Sequence, residues 1–115
     1  MTSDCLFCRI AGGEIGSAKV FEDDDVFAFR DIAPKAPVHI LVIPKAHIRS
    51  LDEVGEAHEG LVGRLLTTAA AIARDEGIAS TGYRVVTNIA RDGGQSVDHL
   101  HFHVMGGRSF GWPPG

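Results

Sequence analysis

Three histidines alternate with apolar residues in His99-Leu-His101-Phe-His103. In an extended strand this spacing puts the imidazoles on one face and Leu100, Phe102 and Val104 on the other. Imidazole titrates near neutral pH and serves as nucleophile or proton carrier, its reactive nitrogen chosen by whatever partners the other one. Same-face imidazoles also suit a bound metal, and spacing alone does not decide between the two. A lone strand histidine is most often just solvated or hydrogen-bonded, but three at period two after the loop Gly93-Gly-Gln-Ser96 weaken that reading. A second feature is Cys5-Leu-Phe-Cys8, which holds both of the chain's cysteines. It reads as half a metal site, a redox pair or two packing residues, and the redox reading lacks a following βαβ context.

These residues need elements to hold them. Cys5 to Ile10 is a short apolar segment closed by Gly12-Gly13, predicting one or two helical turns that start after Asp4 as N-cap. Lys19–Glu22 and Val26–Arg30, on either side of Asp23-Asp-Asp25, predict a hairpin. Asp31-Ile-Ala-Pro34-Lys-Ala-Pro37 must be a loop, because proline lacks a ladder donor and restricts the residue before it. His39-Ile-Leu-Val-Ile-Pro44 predicts a strand buried on both faces. Leu61, Leu65, Leu66, Ala69, Ile72 and Ala73 recur at helical spacing between Glu56 and Gly77, predicting one amphipathic helix, with His58 at its polar end on the surface. Gly77 suits the left-handed position that ends a helix. Tyr83–Asn88 and Leu100–Met105 then predict two more strands separated by a turn at Asp92-Gly-Gly94. The order favours an α+β fold: a mainly antiparallel five-stranded sheet with one long helix and a short N-terminal helix.

At 115 residues the chain is expected to form a single domain, 1–115, with one site. A net charge of −4 argues against a nucleic-acid backbone partner, which calls for clustered lysine and arginine. No apolar run approaches the ~20 residues of a membrane span. The start, Met1-Thr-Ser-Asp-Cys5, lacks a signal-peptide pattern, so no membrane association and a cytoplasmic location are expected.

The segment Gly93-Gly-Gln-Ser-Val-Asp-His99-Leu-His-Phe-His103-Val-Met-Gly-Gly-Arg108 resembles the signature of the histidine triad (HIT) superfamily. Asp31-Ile-Ala-Pro34-Lys-Ala-Pro37-Val-His39, Val42-Ile-Pro-Lys-Ala-His47 and the tail Gly111-Trp-Pro-Pro-Gly115 resemble its Hint branch, the histidine triad nucleotide-binding proteins. The likeness runs from about Cys5 to Gly115. It implies a HIT-like fold and hydrolysis of purine nucleoside phosphoramidates, such as adenylated amines or lysine, and of related acyl-nucleotides to the nucleoside monophosphate. Carried over by position, it makes His101 the nucleophile on the α-phosphorus, and His103 and His39 the groups that orient it and move protons. Ser96 would contact the phosphate or the leaving nitrogen, while Asn88 and Gln95 would bind phosphate oxygens. Asp31 would accept from the ribose hydroxyls, and Phe7, Ile10, Phe29 and Ile32 would flank the base of an AMP or GMP moiety. Taken alone, Asp31 reads equally as a turn carboxylate and Asn88 as a strand-end cap. Gly93-Gly94 agrees with the implied chemistry, since glycine lets backbone amides approach a phosphate closely.

The resemblance also implies a structural zinc held by Cys5, Cys8, His47 and His99, away from the chemistry and pinning the N-terminal segment, with no metal needed for catalysis. For His99 to reach the cysteines, the entrance to the last strand must bend. A homodimer is implied, its helix and a central strand pairing across a two-fold axis and the Trp112-Pro-Pro tail reaching the partner's site. Asp98 and Gly111 depart from the pattern, Asp98 standing where relatives often carry an aromatic or apolar residue; both bear on the leaving-group side. Dinucleoside polyphosphate hydrolysis and a purine-nucleotide-binding or regulatory module are the alternative functions.

Overall fold

The computed structural model describes residues 4–115. Met1 to Ser3, which carry part of the expectation about the N-terminus, lie outside the described residues. The elements are α1 (Leu6–Ala11), β1 (Lys19–Glu22), β2 (Val26–Arg30), β3 (Val38–Pro44), α2 (Glu59–Asp75), β4 (Tyr83–Val86) and β5 (Phe102–Gly106), with 3-10 turns at Leu51–Glu53 and Glu56–His58. The strands form a five-stranded sheet in the order β1-β2-β3-β5-β4, and all described pairs are antiparallel. This is the α+β fold expected from the sequence.

The sheet is buried on both sides, which is why β2 and β3 read as near-continuous apolar runs. Val26, Ala28, Ile40, Val42, Phe102 and Val104 face α2 and pack on Leu65, Ala69, Ile72 and Ala73. Their alternate neighbours Phe27, Phe29, Leu41 and Ile43 face the other way and pack on Phe7 and Ile10 of α1. Full burial of each such side chain stabilises the fold by about 1.5–3 kcal/mol. A seventeen-residue helix covers the first face, whereas α1 has six residues and leaves part of the second face open. The histidine rings gather on this second face, where Phe7 meets His99 and His101 and where His39, His99 and His101 are buried.

Several boundaries depart from the sequence expectation. The N-cap of α1 is Cys5, whose Sγ accepts from the backbone N–H of Cys8 at 3.4 Å, not Asp4. The long helix begins at Glu59 after a 3-10 turn, and His58 is half-buried because its Nδ1 accepts from the Gly55 N–H at 3.2 Å. Gly77 takes the left-handed conformation, φ +76, as its position after the helix requires. β4 stops at Val86, and β5 begins at Phe102 rather than Leu100. The chain before β5 turns away from the ladder: His99 N–H donates to the Val97 carbonyl at 2.9 Å and Leu100 N–H to that of Ile48 at 2.6 Å. The Thr87 hydroxyl takes the His101 carbonyl at 2.8 Å, a side chain in place of a ladder amide.

Candidate active site and metal centre

The bend before β5 splits the alternating histidines into two groups. Only His103 lies within the strand, paired with Leu41 on β3 and Val86 on β4. The three rings therefore do not project from one strand as the spacing suggested. They instead form a row across the open face: His47 and His99 rings are 5.1 Å apart between centroids, His101 and His103 5.0 Å, and His103 and His39 5.1 Å. Phe7 joins the two halves, meeting His99 edge-on at 6.0 Å and His101 at 5.1 Å.

Hydrogen bonds fix the tautomer of each ring. The Nδ1 of His101 lies 2.7 Å from the carbonyl of His99. A carbonyl only accepts, so Nδ1 carries the proton, and in the neutral ring Nε2 keeps its lone pair. His39 receives the Lys35 backbone N–H on Nδ1 at 3.0 Å, so its proton is on Nε2. That Nε2–H donates to His103 Nδ1 at 2.9 Å, with Asp31 Oδ2 at 3.5 Å, which leaves His103 with a proton on Nε2. His101 thus offers a bare nitrogen and its neighbour His103 an N–H donor. Asp31, His39 and His103 also bring ligand atoms within 4.8 Å of one another, but the Lys35 N–H already uses the His39 lone pair. The trio is a hydrogen-bonded relay, not a metal cage.

Burial reinforces these states. It pushes His103 down to about 4, with His101 and His39 adding to the effect and Asp31 opposing it. Burial also lowers His39, again with Asp31 acting in opposition. Both rings are consequently neutral at physiological pH. The unfolded chain, where such a group titrates near 6.5, takes up protons before the fold can. Stability is therefore present above about 6.5 and is lost as pH falls towards 4. Between pH 7.5 and 5 His103 alone is expected to cost about 2 kcal/mol, read by urea denaturation at the two pH values. The His103→Gln variant should show a shallower loss; an equal loss in both proteins would contradict this.

Phe7, Ile10, Phe29, Leu41, Asp31, Ile32, Ser96, His101 and His103 line a cavity of about 280 Å³ between α1 and the sheet. The structure thereby brings together most of the residues expected to bind a nucleotide, with Ile32 exposed at its rim. Leu41 was missed, although it follows His39 at the strand period of two. Asn88 and Gln95 do not line the cavity; they build the adjoining loop. Asn88 donates to the Gly93 carbonyl at 2.7 Å, and Gln95 donates to the carbonyls of Arg49 at 2.7 Å and Val97 at 3.0 Å while accepting from Ala90 N–H at 2.9 Å. The Gln95 amide thus braces this loop beside the cavity through backbone partners. Gly93 sits so close to the Ile89 backbone that any Cβ there would collide with it. Asp31 Oδ1 accepts from Ala33 N–H at 2.8 Å, combining the turn role with a place at the cavity.

At the other end of the row the four expected metal ligands meet. His99 donates Nε2–H to the Pro44 carbonyl at 2.8 Å, leaving the Nδ1 lone pair facing Cys5 Sγ at 3.3 Å, Cys8 Sγ at 3.5 Å and His47 Nδ1 at 3.2 Å. His47 Nδ1 also lies 3.3 Å from Cys8 Sγ. One lone pair cannot serve three partners as separate hydrogen bonds. A tetrahedron with metal–ligand bonds of about 2.0–2.3 Å has edges of roughly 3.3–3.8 Å, so the spacing and the soft donor set fit zinc. The Pro44 carbonyl is the outer partner that orients a ligating imidazole.

Sequence and structure comparisons agree with this geometry. A HIT domain profile matches residues 12–110. The chain is 49% identical over 111 residues to a purine nucleoside phosphoramidase of Escherichia coli, covering 96% of this chain and 93% of that protein. It is 48% identical over 114 residues to a 14 kDa zinc-binding protein of Brassica juncea, covering 97% of this chain and all of that protein. The crystal structure of a HIT family hydrolase from Legionella pneumophila superposes with a TM-score of 0.96 at 48% identity, covering 97% of this chain and all of that one.

Proposed function

The chain belongs to the HIT domain family and is a hydrolase, and from that premise we propose that it cleaves purine nucleoside phosphoramidates to the nucleoside monophosphate through a nucleotidyl-His101 intermediate. The observation that carries this reading is the His101 tautomer: the His99 carbonyl holds the proton on Nδ1 and leaves Nε2 unprotonated beside the cavity.

In the proposed reaction the apolar walls from Phe7, Ile10 and Phe29 receive the base, and Asp31 accepts from the ribose. Nε2 of His101 attacks the α-phosphorus, forming a P–N bond as the bond to the leaving amine breaks. His103 Nε2–H stabilises charge on a phosphate oxygen, and the Ser96 hydroxyl passes the leaving nitrogen its proton. Water then attacks the same phosphorus and expels His101; its hydroxyl ends on phosphorus and its proton replaces the one given up. The His39–His103 bond keeps the donor aimed throughout. Asn88 and Gln95, which brace the adjoining loop, bind phosphate oxygens. Asp98 and Ser96 share a second cleft, of about 640 Å³, with His47, which supports an amine-bearing leaving group on that side.

We assign zinc to the Cys5, Cys8, His47 and His99 cage, where it would cross-link these residues without itself touching the reacting atoms. A homodimer is part of the same reading, since β4 is an edge strand that exposes Val85, and α2 exposes Leu66. Sedimentation should give about twice the chain mass; a single-chain mass at micromolar concentration would remove the dimer. Among the described residues no helix is long and apolar enough to cross a membrane.

The testing experiment is release of AMP from an adenosine phosphoramidate and, separately, from a dinucleoside polyphosphate. Faster release from the phosphoramidate supports the reading. Preference for the polyphosphate moves the assignment to that branch, and AMP binding without turnover of either moves it to a binding module.

A further inference from the structure

His99 stands in both centres at once. It is fully buried, its ring Nδ1 faces the sulfurs of Cys5 and Cys8, and its backbone carbonyl receives the Nδ1–H of His101 at 2.7 Å. Phe7 is shared in the same way: it lies between Cys5 and Cys8 on α1, meets the rings of His99 and His101, and forms a wall of the cavity. The metal centre expected to lie away from the chemistry is thus two residues from the nucleophile.

We infer that His99 is a positioning residue through which metal occupancy sets the tautomer of His101 and the closure of the nucleotide cavity, so that zinc and nucleotide bind with positive coupling. The inference rests on the zinc and nucleotide readings above. With the metal bound, the His99 ring is fixed at both nitrogens, by zinc at Nδ1 and by Pro44 at Nε2, and its carbonyl is held on His101. Without it, the single Nδ1 lone pair accepts at most one weaker hydrogen bond from Cys5, Cys8 or His47 beside the Pro44 contact. Six residues are also too few for α1 to persist by itself, so its docking then depends on Phe7 and Ile10. Once the His99 carbonyl is released, His101 can move its proton to Nε2, the form a solvated neutral histidine side chain prefers, and the attacking lone pair is lost. The same loosening withdraws Phe7 from the base.

Two readouts other than turnover test this. In protein labelled with nitrogen-15 at histidine, long-range proton–nitrogen spectra should show His101 wholly as the Nδ1–H tautomer with zinc bound, and a substantial Nε2–H population after chelation. AMP should bind the zinc-loaded protein roughly 3- to 10-fold more tightly than the stripped protein, and AMP should tighten zinc against a competing chelator by the same factor. The Cys8→Ser variant, which weakens the cage and leaves His99 in place, should behave like stripped protein in both measurements. If stripping unfolds the chain, the chelator competition with and without AMP still measures the coupling on folded protein. An unchanged tautomer together with equal affinities overturns the inference alone. AMP that binds neither form overturns the nucleotide reading, and a chain that takes up no zinc overturns the metal reading, and each takes the inference with it.

Discussion

Replacing His101 with alanine is expected to lower turnover of an adenosine phosphoramidate by about 10⁴-fold or more while leaving AMP binding within a few-fold of wild type. The asymmetry follows from where His101 sits. The walls proposed to hold the base and ribose come from Phe7, Ile10, Phe29 and Asp31, and His101 itself is 2% exposed. Its lone pair, however, is the only one the row aims at the cavity, because the His39–His103 bond commits the remaining nitrogens there. The fold should survive, since Thr87 bonds the backbone carbonyl of His101 rather than its ring. Parallel measurements of kcat and of AMP affinity check this. A His101→Ala protein that keeps a tenth of the activity would show that another group attacks phosphorus.

Stripping zinc, or replacing Cys5 with serine, is expected to produce the largest stability change. A site filled at a thousand times its dissociation constant contributes about 4 kcal/mol to folding. In a domain of this size that corresponds to a fall in Tm of about 15 °C. The affected region is specific: α1, the bend at residues 97–99 and the loop carrying His47 are tied together by the four ligands, whereas the α2 side of the sheet has no part in the cage. Differential scanning calorimetry with and without chelator, alongside elemental analysis, tests both halves; one zinc per chain and a large shift are expected. Loss of zinc with no change in Tm would leave the cage without structural weight.

Much of this was legible in the sequence, and the parts that were not share a cause. The unbroken β3 run announced a strand buried on both faces, and α2 on one side with Phe7 and Ile10 on the other explains why it has no polar alternation. The HIT-like resemblance led to Asp31, Ile32, Phe29, His101 and His103, which the cavity gathers. Period two over-extended β5, however, because it describes a chain that stays in a ladder. Here Leu100 bonds to Ile48 and Thr87 to His101, long-range partners that a local pattern cannot register. Backbone groups set the chemistry of the row in the same hidden way: the Lys35 N–H, the Pro44 carbonyl and the His99 carbonyl decide three tautomers, and none carries a signal of residue type. Cys5 as N-cap was missed because oxygen-bearing side chains are the usual caps. The bracing of Arg49, Ala90 and Val97 by the Gln95 amide likewise rests on backbone partners that a local pattern does not register.

The central claim is a covalent bond between phosphorus and Nε2 of His101. Its most direct test is to mix the protein with an adenosine phosphoramidate, quench within milliseconds in alkaline denaturant, where phosphorus–histidine bonds survive, and map the adduct by mass spectrometry of peptides. Adenylate on His101 that forms faster than AMP appears and then decays is the expected result. AMP released with no adduct on any histidine, or an adduct on His103 or Ser96, would contradict it.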